Sequence, residues 1–490
     1  MGLSEYKYLV FFLVLFCMVP LGVLLASSSK FFEKVALFMM IFFTCRLEEN
    51  IHFVSRELYR GTSRGYEVGL VDMVALVLFF VIMLKKDKQV SVKMFPPGSF
   101  IYFAYFFFSM TSIVNAAEPL FCYFELWKMV RMYIYFWVLY NYFVNYERIA
   151  LAIHFLPIII IYTFIVALYQ KYVIHVYQIH GPLPHQNSLC MYMSILSTLM
   201  FAQLMNEKKA STAKSIFIFI MFAMGSLLVF FTLSRGGMVC YIGGCLAVLL
   251  LSYSSGFDMK KLVVTAAIGF GAIIAVGLMI NTVFNRFQNA PEASRITRYN
   301  LAVSAINMAN DKFLGVGLNN FGIKVNKPYT YSKHYNKRYP VGFKEGLVET
   351  VYLMIAGETG WLNLGIFVIF ILYYYIMNFI NIFRFANTEY QYFAIGLAGG
   401  LASIYVQSSL EWVLKQSPNF YQLMFCFAII AAMMTIYKRE FAEKKLKEKA
   451  ERQELARQKK LMKKQETELT REEERRVEDA AFAAAARRRK

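Results

Sequence analysis

The chain has 490 residues, 58% of them hydrophobic and 17% charged, with a mean hydropathy of +0.45 and a formal charge of +20. That balance excludes an ordinary soluble domain, because apolar runs of about 18–25 residues, the length that crosses a bilayer core, recur along the whole sequence. It also excludes a nucleic-acid reading of the charge, since much of it lies in a C-terminal tail and in short loops, where Lys and Arg set membrane orientation.

In lipid only helices and closed barrels satisfy every backbone polar group. The runs lack the period-2 alternation of barrel strands, so the expected class is an all-α polytopic membrane protein. Spans are predicted at 8–25, 35–45 (short), 68–84, 99–114, 129–143, 151–169, 190–204, 216–233, 238–251, 263–283, 361–380, 393–406 and 423–437, which makes 12 or 13. The first run reads as a retained span, because only Lys7 precedes it, beside Glu5, and Ser27-Ser28-Ser29 is a poor cleavage site. No internal repeat is evident. The scattered cysteines form no CxxC or Cys/His cluster, so neither a metal site nor a disulfide framework is expected.

Basic loops fix the orientation. Lys85, Lys86, Lys88 and Lys93 belong to one, Lys208, Lys209 and Lys214 to another, and Lys260 and Lys261 to a third. All fall on one side, the cytoplasmic one, together with the tail. The opposite face receives 46–67, 171–188, 234–237, 285–360 and 408–418. The expected organisation is therefore spans and short loops over 1–284, a large periplasmic loop with its membrane re-entry over 285–360, spans over 361–437, and a basic cytoplasmic helix or tail over 438–490.

Chemistry-bearing residues gather on that opposite face. Arg235 lies between Ser234 and Gly236-Gly237 at a span end, where a guanidinium offers a fork of donors to a phosphate and the glycines let a ligand approach the backbone. Arg286, Arg295 and Arg298 open the large loop, with few acids beside them. Arg298 precedes an amphipathic run, 299–308, with Leu301, Ala302, Ala305 and Ile306 on one face, and the glycines of 311–321 (DKFLGVGLNNF) then mark a turn. Glu349 stands where the loop re-enters the membrane, with Tyr352 on the same helical face, and is placed to take a proton from a sugar hydroxyl. His180 and His185, in a turn-rich segment, are candidates for binding sugar hydroxyls or moving protons. Glu125, Lys128 and Arg131 fall at i, i+3 and i+6 on one face and form a polar stripe that faces the bundle, so Lys128 and Arg131 are further candidates for binding substrate.

Four of these elements in order, Ser234-Arg235-Gly236-Gly237 opening a span, Arg298 before an amphipathic helix, the GVGLNNF turn, and the re-entry ending in Glu358-Thr359-Gly360, resemble the O-antigen ligase/O-antigen polymerase superfamily over roughly 182–360. The resemblance implies a metal-independent glycosyltransferase of the bacterial inner membrane that needs no cofactor. Its partners would be an undecaprenyl diphosphate-linked glycan, the lipid bilayer, a saccharide or lipid acceptor on the periplasmic face, and other polysaccharide-assembly proteins, with no nucleic acid. It implies that Arg235 and Arg298 hold the donor diphosphate. The family usually carries His-Asn before the aromatic–Leu pair of the re-entry. Glu349 and Thr350 stand there in this chain, so a carboxylate replaces the imidazole. The competing expectation is a polysaccharide or lipid-carrier transporter, which would need charges along a path deep in the bundle.

Overall fold

The computed structural model describes residues 6–46, 50–85, 91–207, 210–271, 277, 292–334, 346–386 and 388–488. They are mostly helical. The helices are α1 (Tyr8–Ser28), α2 (Lys30–Phe42), α3 (Leu70–Leu84), α4 (Ser99–Thr111), α5 (Pro119–Tyr142), α6 (Tyr146–His154), α7 (Leu156–Tyr172), α8 (Gln186–Asn206), α9 (Thr212–Phe231), α10 (Arg235–Ser254), α11 (Glu292–Asp311), α12 (Phe321–Lys324), α13 (Val351–Arg384), α14 (Gln391–Gln407) and α15 (Ser417–Arg488). Residues 259–271 are also helical, and the rest of the span expected at 263–283 lies outside the described residues.

Seven described helices are long and apolar enough to cross a membrane: α1, α6 with α7 (Tyr146–Tyr172), α8, α9, α10, α13 and the Ser417–Ala442 part of α15. Leu70–Leu84 and Ser99–Asn115 are shorter apolar helices. The chain is an all-α, multi-pass membrane protein. Its one sheet among the described residues is an antiparallel pair, β1 (Ile51–Ser55) with β2 (Gly65–Val68), inside the segment expected to be a polar loop.

Two compact units divide the chain, Met1–Met434 and Thr435–Lys490. In the first, α8 is the central helix: every described side chain from Asn187 to Met205 is buried. It packs on α9, α10 and α14. Small residues permit the close crossing of α10 and α14, where a Cβ at Gly244 would come 2.7 Å from the carbonyl of Gly399. The second unit is helical and dense in Lys, Arg and Glu.

The segment expected to be a large loop is built mainly of packed structure where it is described. Leu301, Ala305 and Met308 of α11 are buried with Val316, Phe321, Val325, Val348 and Met354 in a small separate core. The buried stripe is therefore Leu301-Ala305-Met308. Ile306, expected on it, is exposed, which corrects the face assigned from sequence. The GVGLNN turn docks on α13: Val316 and Gly317 donate to the carbonyls of Gly357 and Glu358, both at 2.9 Å. Gly315, Gly317 and Gly360 all have positive φ (70°, 110° and 87°), and a Cβ at Gly315 or Gly360 would strike the backbone of Glu358 or Phe313. Asn319 and Asn320 then tie the turn to the rest of the bundle. Asn319 Oδ1 accepts from Thr62 N (2.8 Å) and its Nδ2 donates to Phe121 O (3.0 Å), while Asn320 Oδ1 accepts from Glu118 N (2.9 Å).

Candidate functional site

Five elements converge on one small pocket. It is lined by Gln178, Gln186, Asn187, Leu233, Ser234, Arg235, Gly236, Arg298 and Glu411, and its volume is about 90 Å³. Arg235 and Arg298, more than sixty residues apart in sequence, both line it. Glu411, which sequence reasoning passed over, is the third charged group.

Arg235 is the first residue of α10, with Ser234 as its N-cap. It is half-buried, and among the described residues no hydrogen bond or ion pair engages its guanidinium. The first-turn amides of α10 have no intrahelical acceptor and carry the positive end of the helix dipole, so this end of the helix favours an anion. The two glycines have a packing reason as well. A Cβ at Gly236 would come within 2.8 Å of the Leu410 side chain, and one at Gly237 would collide with Cys190 Sγ.

Arg298 projects from α11 between two carboxyls. Its Nη2 is 3.7 Å from Glu349 Oε2 and 3.4 Å from Glu411 Oε1. Glu349 precedes the N-cap of α13, Thr350. The Glu349 side chain is 36% exposed and that of Glu411 6%. Burial pushes the Glu411 carboxyl up to about 8, helped by the neighbouring Glu349 charge and by a hydrogen bond to it, while Arg298 and a bond to Asn187 pull the other way.

The loop carrying Glu411 is held from several sides. The Ser408 carbonyl accepts from Val351 N (3.0 Å), Ser188 donates to Gln416, and Lys128 Nζ donates to the Lys415 carbonyl at 2.8 Å. Lys415 itself is buried and reaches Glu358 (3.1 Å) and Glu125 (3.5 Å).

The remaining candidates have other placements. His185 caps α8, its Nδ1 accepting from Asn187 N at 3.2 Å. Burial lowers its pKa against the opposing pull of the Glu349 charge, so the ring is neutral near pH 7. An imidazole therefore does stand near the re-entry carboxylate, supplied by another element. His180 serves its own turn: Nδ1 donates to the Leu183 carbonyl (2.8 Å), and Gln170 fastens the backbone of His180 and Gly181. Tyr352 donates to the Tyr405 carbonyl at 2.9 Å and does not line the pocket. Arg295 is exposed one turn before Arg298, and Arg286 lies outside the described residues.

Lys128 and Arg131 lie elsewhere in the bundle. Both are buried, and neither lines the pocket. Lys128 pairs with Glu125 at 2.7 Å. Arg131 pairs with Glu67 and Asp72, each at 2.9 Å, and donates to Tyr421 at 3.0 Å. A buried cation must be matched by acids, and here β2, α3 and α5 supply them.

A larger cavity of about 670 Å³ lies at the other ends of the same helices, since Glu207, Lys214 and Tyr392 line it. Helix α8, 21 residues long, separates the two by roughly 30 Å. Two of its acids are already paired with bases, Glu33 with Arg148 at 3.6 Å and Glu207 with Lys214.

No curated protein matches the chain. A family model described as O-Antigen ligase matches residues 219–368, the stretch that contains Arg235, Arg298 and Glu349. The match indicates an O-antigen ligase-type function and supports, over residues 219–368, the resemblance to that superfamily drawn from the sequence motifs.

Proposed function

We propose that the protein is a glycosyltransferase that moves a glycan from an undecaprenyl diphosphate carrier to a sugar or lipid acceptor on the periplasmic face of the bacterial inner membrane. The observation that carries this reading is the meeting of Arg235 and Arg298 in one pocket at the N-terminus of α10. Arg235 brings to the cluster a positive charge that no described side chain engages. A diphosphate, flexible and multiply charged, suits an unengaged guanidinium, a row of helix amides and a second arginine already fixed by carboxyls. These groups would stabilise the charge that grows on the departing diphosphate without calling on a metal.

Glu349 is the proton acceptor in this reading. The acceptor hydroxyl, laid against the anomeric carbon, would lose its proton to that carboxylate, and alignment would supply much of the acceleration. The lysine-rich loops on the side of the larger cavity support the periplasmic assignment of the Arg235 pocket. Arg286 and Arg295 are retained as accessory contacts for the carrier.

The transporter alternative needs unpaired charges along a path through the bundle. The buried charges described above pair among themselves, which favours transfer over transport. Arg235→Ala and Arg298→Ala should each abolish polymer or ligation product while the protein still inserts into the membrane; normal product from both would remove the diphosphate grip. Glycan analysis of a knockout then separates the two transfer modes, long chains left on the carrier indicating a ligase and single repeat units a polymerase.

A further inference from the structure

We propose that Glu349 and Glu411 work as one proton-sharing carboxyl pair, in which buried Glu411 holds the shared proton and more exposed Glu349 stays ionised as the group that receives the acceptor's proton. The proposal rests on the transfer reading above and adds to it a positioning residue that none of the sequence motifs contains.

The geometry is that of two acids on one base. Both carboxyls reach the same nitrogen, Nη2 of Arg298. Two carboxylates this close do not both ionise easily, and the proton settles on the one whose charge costs more to bury. That is Glu411, at 6% side-chain exposure against 36% for Glu349. The charged and titratable groups around Glu411 are Glu349 before α13, Arg298 on α11, Arg235 opening α10 and His185 capping α8. Asn187 hydrogen-bonds to it, and Lys415 in its own loop is directed instead to Glu358 and Glu125.

The proton count closes. The acceptor O–H breaks and its oxygen bonds the anomeric carbon, while the bond from that carbon to the diphosphate oxygen breaks and its electron pair leaves on the diphosphate. The hydroxyl proton goes to Glu349. The pair passes from one proton to two, then returns to one by releasing a proton to water. No other reactant is consumed. Ionising Glu411 would place a second negative charge beside Arg298 and weaken its hold on the diphosphate, so the pair also sets an upper pH limit on transfer.

Infrared titration of the full chain in phosphatidylcholine nanodiscs tests this without any substrate. Wild type should show a protonated-carboxyl C=O component that titrates away with a midpoint of about 8. Glu411→Gln should delete that component and Glu411→Asp should restore one. Glu349→Gln should keep the component but lower its midpoint, because the repelling charge is gone. Absence of any such component in wild type, its persistence in Glu411→Gln, or an unmoved midpoint in Glu349→Gln would overturn the pair. If Glu411→Gln fails to fold, the Glu349→Gln midpoint decides alone. Failure of the pair leaves the diphosphate grip standing, because that reading is judged by product formation in the arginine variants.

Discussion

Arg235 and Arg298 differ in what already surrounds them, and that difference predicts unequal behaviour. Arg298 is held between two carboxyls, whereas Arg235 has no engaged partner among the described residues. Replacing Arg235 by Lys keeps the charge but loses the planar fork. Transfer should fall by roughly 10²–10³-fold, the usual scale for losing one preorganised charge-stabilising donor, with membrane insertion unchanged. Glu349→Gln removes a proton acceptor while keeping its shape, and turnover should fall by roughly 10²–10⁴-fold. An unchanged rate would mean the proton leaves by another route. His185→Asn is expected to be milder: Asn is itself a good N-cap, so α8 stays capped and only the neutral imidazole near Glu349 is lost.

The site depends on how the GVGLNN turn and α13 interlock. Gly360 stands at φ 87° inside α13, with the Phe313 carbonyl where a Cβ would project. Gly360→Ala should therefore destabilise the fold by about 1–3 kcal/mol in backbone strain alone, with more from the collision, measured by thermal unfolding in detergent. Phe321, fully buried in the small core under α11, should cost about 3–5 kcal/mol when cut to Ala. Product should fall too, because α11 carries Arg298.

How much of this was legible in sequence follows from where each signal resides. Arg235, Arg298 and Glu349 stand out because a charge beside an apolar run must be explained locally, and their neighbours in sequence supply the explanation. Glu411 does not stand out. It lies in a short turn-rich stretch without helical periodicity, and what defines it, burial beside Arg298, Glu349 and Asn187, comes from three distant segments. Lys128 and Arg131 show the opposite limit. Their spacing gives one helical face correctly, but spacing cannot say what occupies the other side, and Glu67 and Asp72 do. The span count had a similar limit: α5 runs 24 residues from Pro119, well before the apolar stretch, because buried ion pairs let its polar half stay inside the bundle.

At the scale of the molecule, one face gathers the arginine pocket and the other a larger cavity lined by acids and bases in equal number, with α8, α9 and α14 running between them. Stability should carry the mark of Glu411. Its folded-state pKa lies above the ordinary value of 4.5, so the folded form gains from the protonated acid at low pH and loses that gain as pH rises through about 8. The melting temperature of wild type should fall relative to Glu411→Gln between about pH 5 and 9. Parallel curves would mean that Glu411 titrates alike in both states.

The most direct measurement is binding of undecaprenyl diphosphate to the full chain in nanodiscs, followed by native mass spectrometry for wild type, Arg235→Ala and Arg298→Ala. Each variant is expected to bind about 10–100-fold more weakly, the equivalent of losing one charge-assisted hydrogen-bonding group. Equal occupancy of the carrier in all three proteins would contradict the arginine grip on the diphosphate.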